Sequence, residues 1–432
     1  MHTTILVTLL VFTCAASIVL AAEPGTRAQD SIWLNVRDFG ARGDATSDDT
    51  SAFQRALDEA AKANLRVFVP SGRYLIKGRL SLPESVTLAG TFEAPARTQY
   101  NSGTLEKEKG SILLTTAGRN EPDGEPFIML HSDSHVTGLV IYYPEQSDEI
   151  IPYPWCIRGN GDNVNVTNML LVNPYQAVDL GTLPCGRHTV NGLYAHALKT
   201  GLFIDKCFDV GRVSNVHFWP FWKDDKRIHE WVGKHGTAFV IGRSDWEYMT
   251  SCFAIFYNVG FHFVANKDGP GNAMLTQCGS DIGPCAVRVD ATQRHAGVSF
   301  LNGQFMAGIE VDAKNQGPVK FTACGFWGVQ KVTDYHVRIN GDGHVTFTAC
   351  HFTDWATVNM DAPAIIVERG GVTVNGCEFL DTGAKNHIEL RSDVEAAIIT
   401  ANRFRSAMKI ANLSQGDVQI ANNVEGKSHA RK

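Results

Sequence analysis

In the C-terminal half of the chain, short alternations of apolar and polar residues recur in a fixed order. PVKFTACGFWG (318–328), HVTFTACHFTD (344–354) and GVTVNGCEFLD (371–381) are three versions of one unit, and VSFLNGQF (298–305) and AIITANRF (397–404) are looser versions. Each is preceded by a second alternating run: AVRVD (286–290), GIEVD (308–312), HVRIN (336–340), AIIVE (364–368) and HIELR (387–391). The first apolar residues of these runs, Val287, Ile309, Val337, Ile365 and Ile388, are 22, 28, 28 and 23 residues apart. The series continues backward through Phe261, Phe239, Leu202 and Val178, with steps of 26, 22, 37 and 24. Short strands at such a period are the mark of stacked coils. They predict an all-β chain, a single-stranded right-handed parallel β-helix. A β-propeller is the competitor, but its blades need about 40–45 residues each.

Strand alternation then assigns faces. Val287 and Val289 point inward, as do Ile309 with Val311 and Val337 with Ile339. The outward column reads Asp179, Phe203, Val240, His262, Arg288, Glu310, Arg338, Ile366, Glu389. Arg288, Glu310 and Arg338 are expected to form a charge ladder that holds register. Cys324, Cys350 and Cys377 form a second column, read as buried packing thiols. Cys278 and Cys285 in CGSDIGPC are spaced to close a small loop instead. No zinc-type cysteine spacing occurs.

The segment NVRDFGARGDATSDDTSAFQRALDEAAKANLRVFVPSGRYLI (35–76) has a different pattern. A strand and a Gly/Asp turn lead to Ser47, Asp48 and Asp49, candidate caps for a helix starting near Thr50. Phe53, Ala56, Leu57 and Ala60 recur at helical spacing, and VFVPSGRYLI returns as strand, turn, strand. A coil stack exposes an apolar end, so an N-terminal capping helix is expected here. These residues resemble the N-terminal signature of the pectate-lyase-like (pectin lyase fold) superfamily. That superfamily includes polygalacturonase-like hydrolases, rhamnogalacturonase and epimerase-like proteins, and phage tailspikes. The resemblance covers residues 33–95 as cap and first coils, and the repeat extends the β-helix over 96–424. It implies a carbohydrate-active protein. It does not choose the reaction, because one fold hosts many sites. The Asn-Thr-Asp, Asp-Asp, Gly-His-Gly and Arg-Ile-Lys motifs of polygalacturonase-type hydrolases are absent in the order that family needs. No family catalytic residue is therefore carried over, and Asp44, Asp48 and Asp49 are read as turn and cap chemistry.

Composition narrows the class. The chain has 432 residues, 44% of them hydrophobic, with 40 glycines, which favours a turn-rich fold. Its formal net charge of −6 and the lack of any basic run exclude a general nucleic-acid binder. Residues 1–22 read as a secretory signal peptide, with an apolar run from Ile5 to Leu20 and small residues at Ala21 and Ala22. The alternative is an uncleaved membrane anchor, since no Lys or Arg precedes the run. With the signal removed, no later segment is long and apolar enough for a membrane helix, so the expected location is secreted or periplasmic.

Candidate chemistry concentrates where the period lengthens. The 37-residue step from Leu202 to Phe239 contains HFWPFWKDDKRIHEW (217–231). Insertions in coil stacks map to loops on one face and often build binding surfaces. Phe218 fits an inward strand position. Trp219, Trp222, Trp231 and, just after, Trp246 offer flat faces for sugar rings, with Lys223, Arg227, His235, Arg243, His262 and Arg288 to orient a substrate. A glycosidase needs two carboxyl groups across the scissile bond. The expected pair is Asp245 or Glu247 with Asp205 or Asp224, which makes hydrolysis of a polysaccharide the leading reading. The competing class is a polysaccharide lyase acting on an anionic, uronate-containing glycan. It needs a base, and either a cationic side chain or Ca²⁺ against the uronate carboxylate. Between residues 217 and 243 five Lys/Arg outnumber three Asp/Glu, which favours an anionic sugar. No compact oxygen-ligand motif for Ca²⁺ stands out, and no other cofactor is expected. The third reading is a non-catalytic glycan-binding β-helix, with irregular loops in 96–126 suited to a homotrimer contact or a groove wall.

Overall fold

The computed structural model describes residues 32–95, 109–146, 149–219, 226–306, 308–328, 334–382 and 385–426. The signal segment and part of the 96–126 loops lie outside them, as do Trp222, Lys223 and Asp224. From Trp33 onward the strands pair in parallel, each with a strand of the next coil, apart from a small antiparallel hairpin of Ala265–Asn266 with Gly269–Pro270. Three sheets run the length of the stack, and one coil contributes one strand to each. This is the expected parallel β-helix.

Each sheet has one inward column that builds the core. In the first it runs Leu34, Val67, Leu88, Val136, Val166, Val190, Val213, Met249, Leu275, Phe300, Phe321, Phe347, Val374, Ile399 and Ile420. In the second it includes Phe218, Ala254, Ser280, Phe305, Phe326, Phe352, Phe379 and Phe404. In the third it is the sequence-derived series itself: Val178, Leu202, Phe239, Phe261, Val287, Ile309, Val337, Ile365 and Ile388. Adjacent coils lie about 4.7–4.9 Å apart, which is also a good ring-stacking distance. Phe300 and Phe321 accordingly stack at 4.9 Å, and Phe352 and Phe379 at 4.9 Å.

The first and second sheets meet at a bend made by a single residue. From Gly138 and Asn168 through Asn302, Ala323 and Ala349 to Asn422, that residue is left-handed, with φ between 53° and 67°. The residue after it turns inward, and this is where the cysteine column sits. The thiols donate to carbonyls: Cys350 to Phe321 at 3.4 Å and Cys377 to Phe347 at 3.5 Å. Asn402 continues the column, its Nδ2 donating to Val374 O at 2.9 Å. The packing-thiol expectation holds. The Cys278–Cys285 loop closure does not, because the described cysteines are all free and buried, Cys278 within this column.

The stack is capped by the helix Thr50–Ala63 (α1), which buries Ala52, Phe53, Ala56, Leu57 and Ala60. Asp49 is its N-cap residue, and Asp48 just before it accepts from Thr50 N at 3.1 Å. Asp49 instead accepts from Arg42 N and Gly43 N at 2.7 and 3.0 Å, and Asp44 accepts from Thr46 N and Ser47 N. All three carboxylates are spent on turn and cap geometry, as expected. The described part of the insertion forms a second helix, Lys226–His235 (α2). Ile228 and Val232, four residues apart, are buried, and Trp231 packs on Tyr175 at 6.0 Å. Among the described residues no helix is long and apolar enough to cross a membrane.

Candidate functional site

The outer face of the third sheet gathers the charge. Its register is the predicted outward column, Asp179, Phe203, Val240, His262, Arg288, Glu310, Arg338, Ile366, Glu389, extended one coil further by Arg158. At one end Arg158 Nε pairs with Asp179 Oδ2 at 2.6 Å, and both side chains are nearly or fully buried. Asp179 Oδ1 also accepts from Gly181 N at 3.0 Å and Thr182 N at 2.8 Å. Trp155 and Phe203 stack beside this pair at 6.1 Å.

Asp205 follows the rung Leu180–Ile204–Ile241. Gly181 and Gly242 flank it, and a Cβ at either would collide with it. Asp205 Oδ1 accepts from Arg243 N at 2.6 Å, and Oδ2 accepts from Asn266. The Arg243 guanidinium grips both oxygens of Asp245 and lies over Phe208, 5.7 Å from the ring centroid. Gln293 Nε2 donates to Asp245 Oδ1 at 3.0 Å. Burial would raise the Asp245 pKa, but the Arg243 and Gln293 hydrogen bonds and the Arg243 charge outweigh it and hold the carboxyl low. Trp246 is exposed, with φ 67° and its N–H on Asn272 Oδ1 at 3.0 Å. A pocket of about 400 Å³ opens alongside, lined by Asp162, Arg187, Lys206, Phe208 and Asp209.

Farther along, His262 Nε2 meets Asp290 Oδ2 at 2.8 Å and Arg288 Nε meets Asp290 Oδ1 at 3.1 Å. Burial pushes the Asp290 carboxyl up, but His262 and Arg288 together hold it below its ordinary value. A hollow of about 170 Å³ follows, lined by Arg288, Glu310, Asp312, Arg338 and Asn340. The expected ladder is modified here. The close ion pairs run to the neighbouring outward column, Arg288 to Asp290 and Arg338 to Glu368 at 2.9 Å. Tyr335 donates to Glu310 at 3.1 Å.

The structure thus brings Asp205, Arg243 and Asp245 together, with Trp246 adjoining, and sets His262 and Arg288 on the same face. It removes Glu247 from that group. Glu247 is fully buried, accepting from Ser244 Oγ at 3.0 Å, so it cannot reach a polysaccharide. The preferred acid pair is corrected accordingly: an acid needs solvent access and a free proton, and alternation turns Glu247 inward. Trp219 is displaced as well. It packs against an apolar cluster with Phe92, Ile112, Val140, Leu170 and Val172, on the outside of the second sheet. Trp231 serves the docking of α2, while Arg227 and His235 are exposed on that helix. Phe218 is inward as expected, 4.8 Å from Phe239.

Two residues were missed by sequence reasoning. Asp290 ends the run AVRVD, and its i, i+2 spacing from Arg288 signals a same-face pair. Asp281 sits on the second sheet's outer face beside Ile255. Burial without a polar partner raises its carboxyl to about 6, and it is the one described carboxyl pushed upward.

Comparison with known proteins agrees with the fold. Residues 33–180 match the family model described as rhamnogalacturonase A/epimerase, pectate lyase-like. The A-module of mannuronan C-5 epimerase AlgE4 from Azotobacter vinelandii superposes over 91% of this chain and 99% of its own, with TM-score 0.50 and 13% identity. The fold is a pectate-lyase-like β-helix, and residues 33–180 carry the match to the family model. Curated relatives match over shorter segments, and this chain spans only a minor part of their length. Mannuronan C5-epimerase AlgE5 of Azotobacter vinelandii is 51% identical over 135 residues, which is 30% of this chain and 11% of the epimerase. An exopolygalacturonase of Arabidopsis thaliana is 37% identical over 112 residues, 24% of each chain.

Proposed function

We propose that this pectate-lyase-like protein acts on a uronate-containing polysaccharide by moving the proton next to the sugar carboxylate, along the outer face of the third sheet. The observation that carries this reading is the His262–Asp290–Arg288 group. Asp290 orients the imidazole, so His262 presents its second nitrogen as the base, while Arg288 neutralises the uronate carboxylate. The proton passes from carbon to His262. The electron pair left behind is stabilised by the neutralised carboxylate, and then either expels the neighbouring glycosidic oxygen or regains a proton from the opposite side. The first outcome is β-elimination, the second epimerisation. The relatives support the substrate class, since their names refer to mannuronan and to polygalacturonate. Hydrolysis, the leading expectation from sequence, is less well supported. Asp205 and Asp245 are engaged by Arg243, Asp245 is held ionised, and Glu247 is sealed inside. Export to reach a polymeric substrate accords with the N-terminal apolar run.

The test is incubation in D₂O with polymannuronate, polygalacturonate and a neutral glucan. Deuterium next to the carboxylate, or the ultraviolet absorbance of an unsaturated uronate, is expected on a uronate polymer only. New reducing ends without either signal would replace this reading with hydrolysis, and no change on any polymer would leave a glycan-binding protein.

A further inference from the structure

Beneath the charged face, three fully buried side chains from different segments converge. His188 precedes the strand Thr189–His196, Cys207 forms an isolated bridge with Ser244, and Glu247 opens the strand Glu247–Thr250. Gly211 pairs with Glu247 and precedes Arg212, the partner of Thr189, so it occupies the rung between His188 and Glu247. Any Cβ at Gly211 would strike both. The missing side chain lets His188 Nε2 and Glu247 Oε1 meet across the rung at 3.2 Å. The Nε2, Cys207 Sγ and Glu247 carboxylate atoms all lie within 4.8 Å of one another.

We propose that His188, Cys207 and Glu247 bind a zinc-class divalent cation inside the stack. Imidazole, thiolate and carboxylate are the donor set that Zn²⁺ takes, whereas Ca²⁺ and Mg²⁺ take oxygen ligands. The supporting bonds are also those of a metal site. His188 Nδ1–H donates to Cys185 O at 2.9 Å, which fixes the tautomer and aims Nε2 at the shared point. Ser244 Oγ holds Glu247 Oε2 at 3.0 Å and leaves Oε1 for the metal. Bonds of about 2.0–2.3 Å imply ligand-to-ligand edges of about 3.3–3.7 Å in a tetrahedron. A modest contraction of the cluster reaches that size, with the fourth position left to a water molecule. Binding releases the thiol proton of Cys207 and the proton that His188 and Glu247 share. A buried imidazolium–carboxylate pair is the competing account; in it the Cys207 thiol donates to Asp209 O at 2.6 Å, and metal binding would exchange that bond for a thiolate–metal bond.

The site would also organise the candidate face. Cys207 follows Asp205 and Lys206, and Glu247 follows Arg243 and Asp245, so one ion would tie together the two backbone segments carrying these charges. This holds whichever reaction the face performs.

The full-length protein purified without chelator is expected to carry one zinc per chain by elemental analysis. After removal of the metal, Co²⁺ should produce a thiolate-to-metal charge-transfer band in the near ultraviolet. That band should persist in Cys324→Ser, which removes another buried thiol, and vanish in Cys207→Ser. The wild type decides even if Cys207→Ser fails to fold. A wild type that takes up neither zinc nor cobalt, or a band that survives in folded Cys207→Ser, overturns the proposal and leaves a buried ion pair.

Discussion

His262 donates from Nε2 to Asp290 Oδ2 across 2.8 Å, and this bond decides which ring nitrogen is left for chemistry. Asp290 is held in its ionised form by His262 and Arg288 and cannot donate. Nε2–H therefore faces Asp290, and Nδ1 is the ring nitrogen left to face a substrate. His262→Gln is expected to lower kcat on a uronate polymer by about 10²–10⁴-fold with a much smaller change in KM. An unchanged kcat would remove His262 from the reaction.

Arg158 and Asp179 form an ion pair whose carboxylate side chain is 0% exposed. Removing one partner of such a pair leaves an uncompensated buried charge, at a cost of about 3–5 kcal/mol. Two backbone N–H groups on Asp179 should place Arg158→Met at the lower end of that range. Chemical denaturation measures it, and a loss under about 1 kcal/mol would mean water reaches the carboxylate freely.

Stability should fall on mild acidification. His336 is 3% exposed, with its Nε2 2.7 Å from Thr353 O. Burial lowers its pKa from 6.5 to about 4, against smaller opposing effects of that bond and Asp381. Its folded-state pKa is depressed, so its contribution is fully present above pH 6.5 and is lost as pH falls through that value toward 4. The loss is at most about 3 kcal/mol. Melting temperatures of the wild type and His336→Gln, followed between these pH values, should converge as pH drops. A constant gap would show that His336 does not titrate in this window.

Ala349 is an exposed residue held at φ 54°. A left-handed alanine costs roughly 1–2 kcal/mol, and asparagine tolerates that conformation better. Ala349→Asn should raise stability by up to about 1 kcal/mol. The same change at half-buried Thr348, a strand residue next to it, should give no gain. A gain at both positions would point to something other than the bend.

Coil order, the inward columns and the capping helix were legible in the chain because each depends on local alternation repeated at a near-constant step. Val287, Ile309 and Val337 are recognisable as one column without coordinates, and Phe218 as a core residue. The insertion was legible as an insertion, but its form was not. Ile228, Trp231 and Val232 are too few to reveal a helix by period, and aromatic rings that dock a helix look the same in sequence as rings that bind a sugar.

The acids show where local pattern stops. Asp245 and Glu247 are two residues apart, and sequence alone treats both as available. Only the stacked coils decide that Glu247 meets His188, 59 residues away, across the space left by Gly211, while Asp245 remains outside in the grip of Arg243. Sequence by itself determined the coil architecture, since a repeated strand pattern needs only its own neighbours to bury an apolar face. Tertiary structure alone decided which charges meet, because partners on different coils are brought together by stacking, and their ionisation depends on the burial and counter-charges found there.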